Sequence, residues 1–326
     1  MTGIVLLVGC GEIGSRHLQA VASLPDVRQV EIVDQRPEAL ELGRKRISEL
    51  PSPNTSITFR WLSSLAEASH GGDLCIVATQ ADVRCRVVRE VAETLGYSKF
   101  LLEKLVSQST ADYRSLIRFC EKKQIAAWVN CKGRAHPSHI HVKQHLVPGE
   151  PIVFSASGGN HGLVTNGVHV ADLFAFYDGA EHIECVWSEI DPVLHQTKRG
   201  AYDLSGTLCG RSVRGSTFML SLAADHVQPA LFSIVSPHYR VALDDVNKWI
   251  YESCEDSAWK WRPVPFEADL NISSMTRAFA ADILSSGRCR LPTLTECFAA
   301  HEFILEEVHP HFEKLLGTTV SRSPVT

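Results

Sequence analysis

The chain has 326 residues, which is enough for two domains that each bury a core of their own. Its formal net charge is −5 and its lysines and arginines form no concentrated run, so we expect no nucleic acid partner. No apolar stretch approaches the about 18 residues that cross a bilayer, and the first apolar run already begins at Ile4, so we expect neither a membrane segment nor a signal peptide.

The ten cysteines are scattered along the chain and form no Cys-x-x-Cys pair. Most lie among apolar residues, where a thiol packs as a small hydrophobic group. In the expected absence of an export signal, this usage predicts reduced thiols and a cytoplasmic protein.

A glycine-rich turn lies between the first two predicted strands. The apolar run from Ile4 to Val8 leads directly into Gly9-Cys10-Gly11-Glu12-Ile13-Gly14 and then into a stretch with helical spacing. A second apolar run ends at Asp34, 20 residues after Gly14. A strand, a GxGxxG turn, a helix and an acidic residue in this order are specific for a dinucleotide, whereas the turn by itself is not.

Each glycine of the turn has a separate predicted role. Gly9 allows the tight turn, Gly11 lets the backbone approach a pyrophosphate, and Gly14 lets the helix pack closely on the strand. Glu12 and Ile13 lie at the start of the helix, whose backbone N–H groups and positive potential favour phosphate.

Asp34 is placed to accept hydrogen bonds from the 2′-hydroxyl of an adenine ribose. Arg36 follows closely and could favour the 2′-phosphate of NADP, but Asp34 would repel that phosphate. We therefore predict NAD as the cofactor, with NADP as the alternative.

The first 130 residues alternate strand-like runs with helical stretches, which predicts a doubly wound, parallel Rossmann sheet. The predicted strands are Ile4–Val8, Val30–Asp34, Ile57–Leu62, Leu74–Thr79, Phe100–Glu103 and Ala126–Asn130, and the helices between them include Pro37–Leu50, Val83–Leu95 and Ala111–Lys123.

Polar residues stand at the ends of three of these strands: Thr79, Glu103 with Lys104, and Asn130. Ligands of such sheets bind beyond the carboxyl ends of the strands, so we expect these residues to line one crevice with the glycine turn. Thr79 and Glu103 are predicted cofactor contacts, and Asn130 is a predicted substrate contact. A lysine in a partly buried site can exchange a proton, so Lys104 is a candidate catalytic residue, although a solvated lysine would fit the position equally well.

After about residue 150 strand-like runs follow one another directly, which predicts an open, mostly antiparallel sheet in an α+β domain. The predicted strands are Pro151–Ser157, Ile183–Ile190, Ala201–Cys209, Thr217–Ala223, Ala230–Ser236 and His238–Leu243, and two helices, Ile272–Ser285 and Thr293–Leu316, close the chain. We therefore divide the chain into a nucleotide-binding domain, 1–130, and a substrate-binding and oligomerisation domain, 131–326.

A second glycine-rich segment, 158–167, leads into a helix that carries His169 and Asp172 on one face. A histidine in this setting is a candidate catalytic residue, with Thr165 and Asn166 as candidate substrate contacts. Arg134 follows the last strand of the first domain and could bind phosphate or carboxylate on a substrate, although the position fits a solvated basic turn slightly better.

His141 and His145 are four residues apart, as the histidines of a zinc-binding HExxH helix are. However, valine replaces the glutamate, and neither a cysteine pair nor an acidic residue accompanies them. We therefore predict no metal.

The aromatic residues Trp249, Tyr251, Trp259 and Trp261 could form a carbohydrate platform, but period-two spacing within each pair is more typical of one face of a strand. An apolar open face on the second sheet would need a cover, which predicts a homo-oligomer, a dimer or a tetramer, formed through that sheet.

Several segments together resemble the Gfo/Idh/MocA family of NAD(P)-dependent sugar and cyclitol oxidoreductases, over nearly the whole chain. The matching segments are Gly9–Gly14 with Asp34, Ala78-Thr79-Gln80, Glu103-Lys104-Leu105, Thr165–Asp172, and Leu291–Glu296 with His301. The segment 158–163 and the run beginning Lys198-Arg199-Gly200 look closest to members associated with bacterial surface polysaccharides.

The resemblance implies hydride transfer between nicotinamide C4 and a carbinol carbon of a sugar, with Lys104 holding or deprotonating the hydroxyl and His169 acting as acid/base or orienting the substrate. The chain departs from the family at two positions. Thr165 replaces an aspartate, so a carboxylate that would support a protonated His169 or Lys104 is missing. Leu105 replaces a proline, and because a cis bond before leucine costs about 3–4 kcal/mol we predict a trans bond.

The sequence thus predicts an oxidoreductase acting on a small-molecule sugar or sugar derivative, including a nucleotide-activated one. Two alternatives stay open: an NADPH-dependent reductase of a keto-sugar or imine, and a catalytically silent NAD-binding sensor. The identity of the sugar, the hydroxyl that reacts and the direction of the reaction are not predictable from the sequence.

Overall fold

The computed structural model describes residues 3–159, 162–197, 200–225 and 227–326. These residues form two compact units. Unit 1 comprises Met1–Ser107, Ala111–Asn130 and Asp269–Leu294, and unit 2 comprises Gln108–Thr110, Cys131–Ala268 and Thr295–Thr326. Asn160, His161, Lys198 and Arg199, which belong to two of the segments that carry the family resemblance, lie outside the described residues.

Unit 1 is built on a six-stranded parallel sheet with the order β3-β2-β1-β4-β5-β6. Its strands are β1 (Ile4–Val8), β2 (Gln29–Val33), β3 (Thr58–Leu62), β4 (Leu74–Val77), β5 (Lys99–Leu102) and β6 (Ala126–Val129). The central strands are apolar and almost completely buried, as strands covered by helices on both faces must be. The predicted doubly wound sheet is confirmed.

The helices of unit 1 are α1 (Gly14–Val21), α2 (Pro37–Ser48), α3 (Ala81–Leu95), α4 (Thr110–Lys123) and α7 (Ile272–Ser286). Helix α7 lies late in the chain, within the segment 131–326 that the sequence analysis assigns to the second domain, but here it belongs to unit 1. Helix α1 is buried on nearly every side and therefore needs a second cover. Helix α7 provides that cover with an apolar stripe formed by Met275, Phe279 and Ile283, and it packs on α1.

Unit 2 is built on an eight-stranded sheet with the order β16-β15-β14-β13-β7-β12-β11-β8. All neighbours are antiparallel except β7 and β12, so the predicted open, mostly antiparallel sheet is also confirmed. The strands are β7 (Val153–Gly158), β8 (Glu184–Ile190), β11 (Gly206–Arg211), β12 (Thr217–Leu222), β13 (Leu231–Val235), β14 (Tyr239–Asp244), β15 (Trp249–Cys254) and β16 (Arg262–Pro263).

A separate short pair, β9 (His195–Gln196) and β10 (Tyr202–Asp203), precedes β11. The single strand predicted over Ala201–Cys209 is therefore wrong: the chain leaves β10 and starts a new strand at Gly206. Gly206 has a φ of 127°, and a Cβ there would lie 2.2 Å from the carbonyl oxygen of Glu189, so the chain can turn here only at glycine.

The two faces of the large sheet differ. One face carries the stacked rings of Phe154, Phe218 and Phe232 and is covered by α5 (Pro137–His145), α6 (Gly167–Asp178) and α8 (Leu294–Leu316). The other face exposes large apolar side chains, namely Val153, Met219, Leu231, Val235 and Tyr251. The strand pleat explains this alternation, because successive side chains point to opposite faces.

Trp249 and Tyr251 lie two apart on β15, as the strand interpretation predicts. The same interpretation is wrong for Trp259 and Trp261, which lie in the turn between β15 and β16. Their rings lie 4.8 and 5.3 Å from the guanidinium carbon of Arg240, an arrangement typical of cation–π packing.

No disulfide links the ten cysteines, all of which lie in the described part of the chain. Among the described residues, no helix has both the length and the apolar character that a membrane crossing requires.

Candidate functional site

The glycine turn follows β1 at the carboxyl edge of the unit 1 sheet, where the strand order reverses between β1 and β4. Gly9 has a φ of 90°, and a Cβ there would lie 2.9 Å from the backbone of Ala78 and Thr79. A Cβ on Gly14 would lie 1.9 Å from the carbonyl oxygen of Gly9. Both positions therefore require glycine, and the turn packs against the end of β4.

Helix α1 begins inside this turn. The backbone N–H of Ser15 donates to the carbonyl oxygen of Gly11 at 2.9 Å, while Glu12 and Ile13 are exposed at the helix start. A helix start that is open to solvent and approached by a glycine backbone is suited to bind a pyrophosphate.

Asp34 follows β2 and is tied to the turn. Its Oδ2 accepts a hydrogen bond from the backbone N–H of Cys10 at 2.8 Å, and its Oδ1 accepts one from the N–H of Arg36 at 3.0 Å. The Arg36 side chain, 42% exposed, also forms an ion pair with the carboxylate at 3.2 Å. Asp34, the predicted ribose ligand, and Arg36, the residue that could bind a 2′-phosphate, are therefore in direct contact.

Arg46 also supports the turn, although nothing in the sequence pattern indicates it. From α2 it donates to the Glu12 carbonyl, to the Ser15 hydroxyl at 2.6 Å and to the Glu12 carboxylate. The guanidinium is nearly buried, so it fixes the backbone between Gly11 and Gly14 from outside the motif.

Glu103 stands at the end of β5 and holds three elements together. Its Oε1 accepts from Nε2 of His17 at 2.9 Å and from Nδ2 of Asn130 at 2.5 Å, and Nδ1 of His17 lies 2.9 Å from the Thr276 hydroxyl of α7. Burial raises the pKa of Glu103, but the hydrogen bond and charge of His17, the hydrogen bond from Asn130 and the charge of Lys104 outweigh it and lower the pKa to about 2. The carboxylate is therefore ionised at neutral pH.

Several buried polar atoms at this edge have no hydrogen-bond partner among the described residues. They are Thr79 Oγ1, Asn130 Oδ1, and Nε and Nη1 of Arg84. Arg84 lies near the start of α3, is 2% exposed and donates from Nη2 to the Thr79 carbonyl. Burial lowers its pKa to about 10, so it stays charged at neutral pH. Because buried polar groups are normally paired, these atoms fit an edge built to receive a polar ligand.

Lys104 follows Glu103 directly and is half-buried. The Lys104–Leu105 peptide bond is cis, so the predicted trans bond is wrong. That prediction considered only the local preference of the dipeptide, which leaves out the tertiary packing that buries Leu105.

The remaining predicted site residues belong to unit 2. His169 is half-buried in the first turn of α6, and its backbone N–H donates to the carbonyl oxygen of Asn166 at 3.0 Å. Asn166 is exposed at the helix start. Asp172, one turn after His169, is buried and bonds to Arg134.

Arg134 forms a two-pronged ion pair inside unit 2. Its Nε and Nη2 each donate to an oxygen of Asp172 at 2.7 Å, and Nη2 also lies 3.2 Å from the Glu296 carbonyl. Burial by itself lowers the pKa of Arg134, but the charge and hydrogen bonds of Asp172 raise it above its ordinary value. The structure thus gives this predicted substrate contact an internal carboxylate partner.

Asp203 supplies a carboxylate beside Thr165, the position at which the sequence analysis notes that a carboxylate is missing. It lies on β10, is 1% exposed and accepts hydrogen bonds from the Val164 N–H at 2.9 Å and from the Thr165 hydroxyl at 2.5 Å. Sequence reasoning did not find Asp203, because it lies 38 residues after Thr165 and only the fold brings them together.

No family model and no curated protein sequence matches the chain. Solved structures match its fold over nearly its whole length. UDP-N-acetylglucosamine 3-dehydrogenase GnnA from Acidithiobacillus ferrooxidans superposes with a TM-score of 0.71 at 16% identity, covering 99% of this chain and 98% of that one.

Two further structures have the same fold. An oxidoreductase from Agrobacterium radiobacter in complex with NAD+, L-tartaric acid and magnesium has a TM-score of 0.72 at 17% identity, covering 93% of this chain and 94% of that one. The 3-ketoreductase KijD10 from Actinomadura kijaniata, in complex with NADP, has a TM-score of 0.70 at 19% identity, covering 93% and 96%. At these identities the likeness shows the fold.

Proposed function

We propose that the chain is an NAD(P)-dependent oxidoreductase that transfers a hydride between nicotinamide and a carbinol or keto carbon of a nucleotide-activated sugar. The proposal rests on the polar groups that the structure brings together at the carboxyl edge of the unit 1 sheet. The glycine turn with Asp34 lies there together with buried polar atoms of Thr79, Arg84 and Asn130 that have no hydrogen-bond partner among the described residues.

The residues at this edge fit a dinucleotide. Gly9, Gly11 and Gly14 would hold the pyrophosphate against the start of α1, and Asp34 would accept the ribose hydroxyls. Thr79 and Glu103 would contact the nicotinamide half. A bound nicotinamide would accept the hydride in oxidation or donate it in reduction.

Lys104 exchanges the single proton that accompanies the hydride transfer. In oxidation its neutral amine takes the proton of the sugar hydroxyl while the hydride leaves the carbon, and in reduction its ammonium returns that proton to the new alkoxide.

His169, Thr165 and Asn166 are the proposed substrate contacts of unit 2, with His169 as the second acid/base candidate. Asp203 acts as a positioning residue, because its carboxylate holds the Thr165 hydroxyl and the Val164 N–H. Arg134 is the proposed contact for a phosphate or carboxylate of the substrate, and Asp172, which offsets most of its charge, fixes the orientation of the guanidinium.

The nucleotide-activated substrate rests on two of the structural neighbours. One is a UDP-N-acetylglucosamine 3-dehydrogenase, and the other is a 3-ketoreductase whose structure has also been determined with TDP-benzene and NADP. UDP-N-acetylglucosamine is accordingly the first substrate to offer with NAD+.

The test is turnover of UDP-N-acetylglucosamine and other UDP- and TDP-sugars, followed by absorbance of the reduced cofactor. Removing the proton-exchanging amine with Lys104→Met should lower kcat by about 10²–10⁴-fold, because general acid–base catalysis contributes that much. Lys123→Met, an exposed lysine at the end of α4, serves as the matched control. Undiminished kcat in Lys104→Met would remove Lys104 from the mechanism.

A keto-sugar reductase using NADPH is the second candidate, and the half-exposed guanidinium of Arg36 beside Asp34 favours it. The same assay run with a TDP-linked keto-sugar and NADPH separates the two directions. Absence of turnover with every sugar, combined with a sugar-dependent change in NAD affinity, would instead identify a catalytically silent sensor.

We also propose that the chain assembles as a homo-oligomer through the open face of the unit 2 sheet. Val153 is 56% exposed there at the start of β7, a central strand of the sheet, and Met219, Leu231, Val235 and Tyr251 extend the same apolar surface. A sheet face of this kind is commonly covered by another copy or by a partner.

A further inference from the structure

Unit 2 contains a cluster of two histidines and one glutamate that the proposed reaction does not use. His141 and His145 lie one turn apart on α5, and Glu252 projects from β15 toward them. The potential ligand atoms of the three side chains all lie within 4.8 Å of one another. The sequence offers no acidic residue near the histidine pair, but the fold brings in Glu252 from 111 residues further along the chain.

The hydrogen bonds of the cluster prepare the histidines for a metal. Nδ1 of His145 lies 2.8 Å from the backbone carbonyl of His141, so this nitrogen carries the proton and Nε2 presents a lone pair. A hydrogen bond from the second ring nitrogen to a carbonyl is the usual support of a metal-binding histidine. Nε2 of His141 lies 2.7 Å from Oε2 of Glu252, and that pair is where an ion would insert.

Glu252 is held in place by its own neighbours. The Tyr239 hydroxyl donates to Oε2 at 2.9 Å. Arg262 holds Oε1 with two nitrogens, since Nε donates to it at 3.0 Å and Nη2 lies 2.8 Å from it. The carboxylate is 4% exposed, so it is a fixed ligand on the closed side of the cluster. His145 is exposed on the open side, which leaves a path for an ion and a position for water.

The distances fit a small ion after limited movement. Metal bonds of about 2.1 Å in a tetrahedral site place ligand atoms about 3.4 Å apart. His141 and Glu252 must therefore separate by less than about 1 Å from their present 2.7 Å, and the exposed His145 can approach by rotation of its side chain.

A second cluster in unit 2, His136, His139 and Asp245, is less suited to a metal. Both ring nitrogens of His139 are already used, one by the Tyr177 hydroxyl at 2.6 Å and the other by Asp245 at 2.8 Å. An ion would have to break the bond between His139 and Asp245, and both His136 and His139 are buried, whereas the His145 side chain is exposed to solvent.

The third cluster, Cys131, Asp172 and Cys297, is closed as well. Both oxygens of Asp172 are held by Arg134, whose positive charge opposes a cation. Both thiols are buried, and burial raises the pKa of Cys297 well above its ordinary value, which disfavours the thiolate that a metal requires.

We propose that His141, His145 and Glu252 form a binding site for Zn²⁺ or a similar divalent transition metal, with water in the fourth position. Two imidazoles and one carboxylate are a donor set that zinc accepts, whereas calcium and magnesium prefer oxygen ligands alone. Because the ligands come from α5 and β15, the ion would tie this helix to the sheet and stabilise unit 2.

The test is a Co²⁺ titration of the untagged full chain after dialysis against a chelator. We expect one equivalent of Co²⁺ to bind, with visible d–d absorption and without the near-ultraviolet charge-transfer band of a cobalt thiolate. His145→Gln should abolish this binding, and circular dichroism will show that the variant is folded, as the exposure of this side chain predicts. His182→Gln, an exposed histidine of unit 2 that pairs with Glu302, is the matched control and should bind normally.

A second readout uses zinc itself. Saturating Zn²⁺ should raise the Tm of the wild-type chain and of His182→Gln, and should leave the Tm of His145→Gln unchanged. Three results would overturn the proposal: no stoichiometric Co²⁺ binding, equal binding by His145→Gln, or a spectrum dominated by thiolate charge transfer.

Discussion

Glu103 shows how a single side chain can serve both the fold and the candidate site. One oxygen of its carboxylate joins β5 to α1 through His17 and to β6 through Asn130, directly before the candidate catalytic Lys104. The apolar strand that ends in Glu103 is readable from the sequence, but these partners are not, because they lie 86 and 27 residues away.

The depressed pKa of Glu103 makes a prediction about acid stability. A carboxyl whose pKa falls from 4.5 to about 2 on folding stabilises the native state above pH 4.5, and this contribution disappears as the pH falls toward 2. Its full size is about 3 kcal/mol. Urea unfolding followed from pH 7 to pH 2 should therefore show a shallower loss of stability in Glu103→Gln than in the wild type.

The control for this comparison is Glu121→Gln, an exposed glutamate of α4. Its unfolding free energy should follow the wild-type pH dependence. If Glu103→Gln also follows the wild-type dependence, the carboxylate is not the charged anchor that the hydrogen bonds indicate.

Asp34 makes a prediction about cofactor choice. Asp34→Asn removes the charge but keeps one oxygen that can accept from the Cys10 N–H. The repulsion of a 2′-phosphate should then disappear and leave Arg36 available to it, so the ratio of NADP to NAD affinity should rise at least about tenfold. Calorimetric titration of both cofactors measures the ratio, with the exposed Asp26→Asn as control. An unchanged ratio would mean that Asp34 does not face the ribose.

At the scale of elements, the sequence predicts those strands, helices and turns whose signal lies in consecutive residues, and it does not predict which elements pack together. The strands of unit 1 are predictable within two residues because each is a short apolar run bounded by turn residues or a helical stretch. The glycine turn with Asp34 is predictable because strand, turn, helix and acid are consecutive. The apolar stripe of α7 indicates a buried helix, but its period cannot reveal that the helix covers α1.

Helix α7 should therefore contribute to the stability of unit 1 despite its position late in the chain. Phe279 is buried in the stripe, and Phe279→Ala should lower the free energy of unfolding by about 3–5 kcal/mol because it leaves a cavity. Arg277→Ala, exposed on the same helix, should change it by less than about 0.5 kcal/mol. Denaturant unfolding of the two variants is the measurement, and equal stabilities would contradict the packing described for α7.

At the scale of the whole molecule, the open face of the unit 2 sheet is the proposed surface for self-association. Val153 and Val235 are partners across β7 and β13 on this face. A charge placed there would have to be buried in an interface that this face forms, whereas in a monomer it would stay in water.

Val153→Glu should accordingly yield a smaller species than the wild type in size-exclusion chromatography with light scattering. Val246→Glu places the same charge at an exposed valine in the turn between β14 and β15, outside the face, and should keep the wild-type mass. A monomeric wild type, or one mass for all three proteins, would contradict assembly through the sheet.

The most direct test of the central claim is calorimetric binding of NAD(H) and NADP(H) to the wild-type chain, stripped of any nucleotide carried through purification. We predict one site per chain that prefers NAD(H), because Asp34 stands where the ribose hydroxyls would bind and is tied to the glycine turn. Binding of neither cofactor would contradict the account, since a chain with this edge would then share only the fold of the oxidoreductases that it resembles.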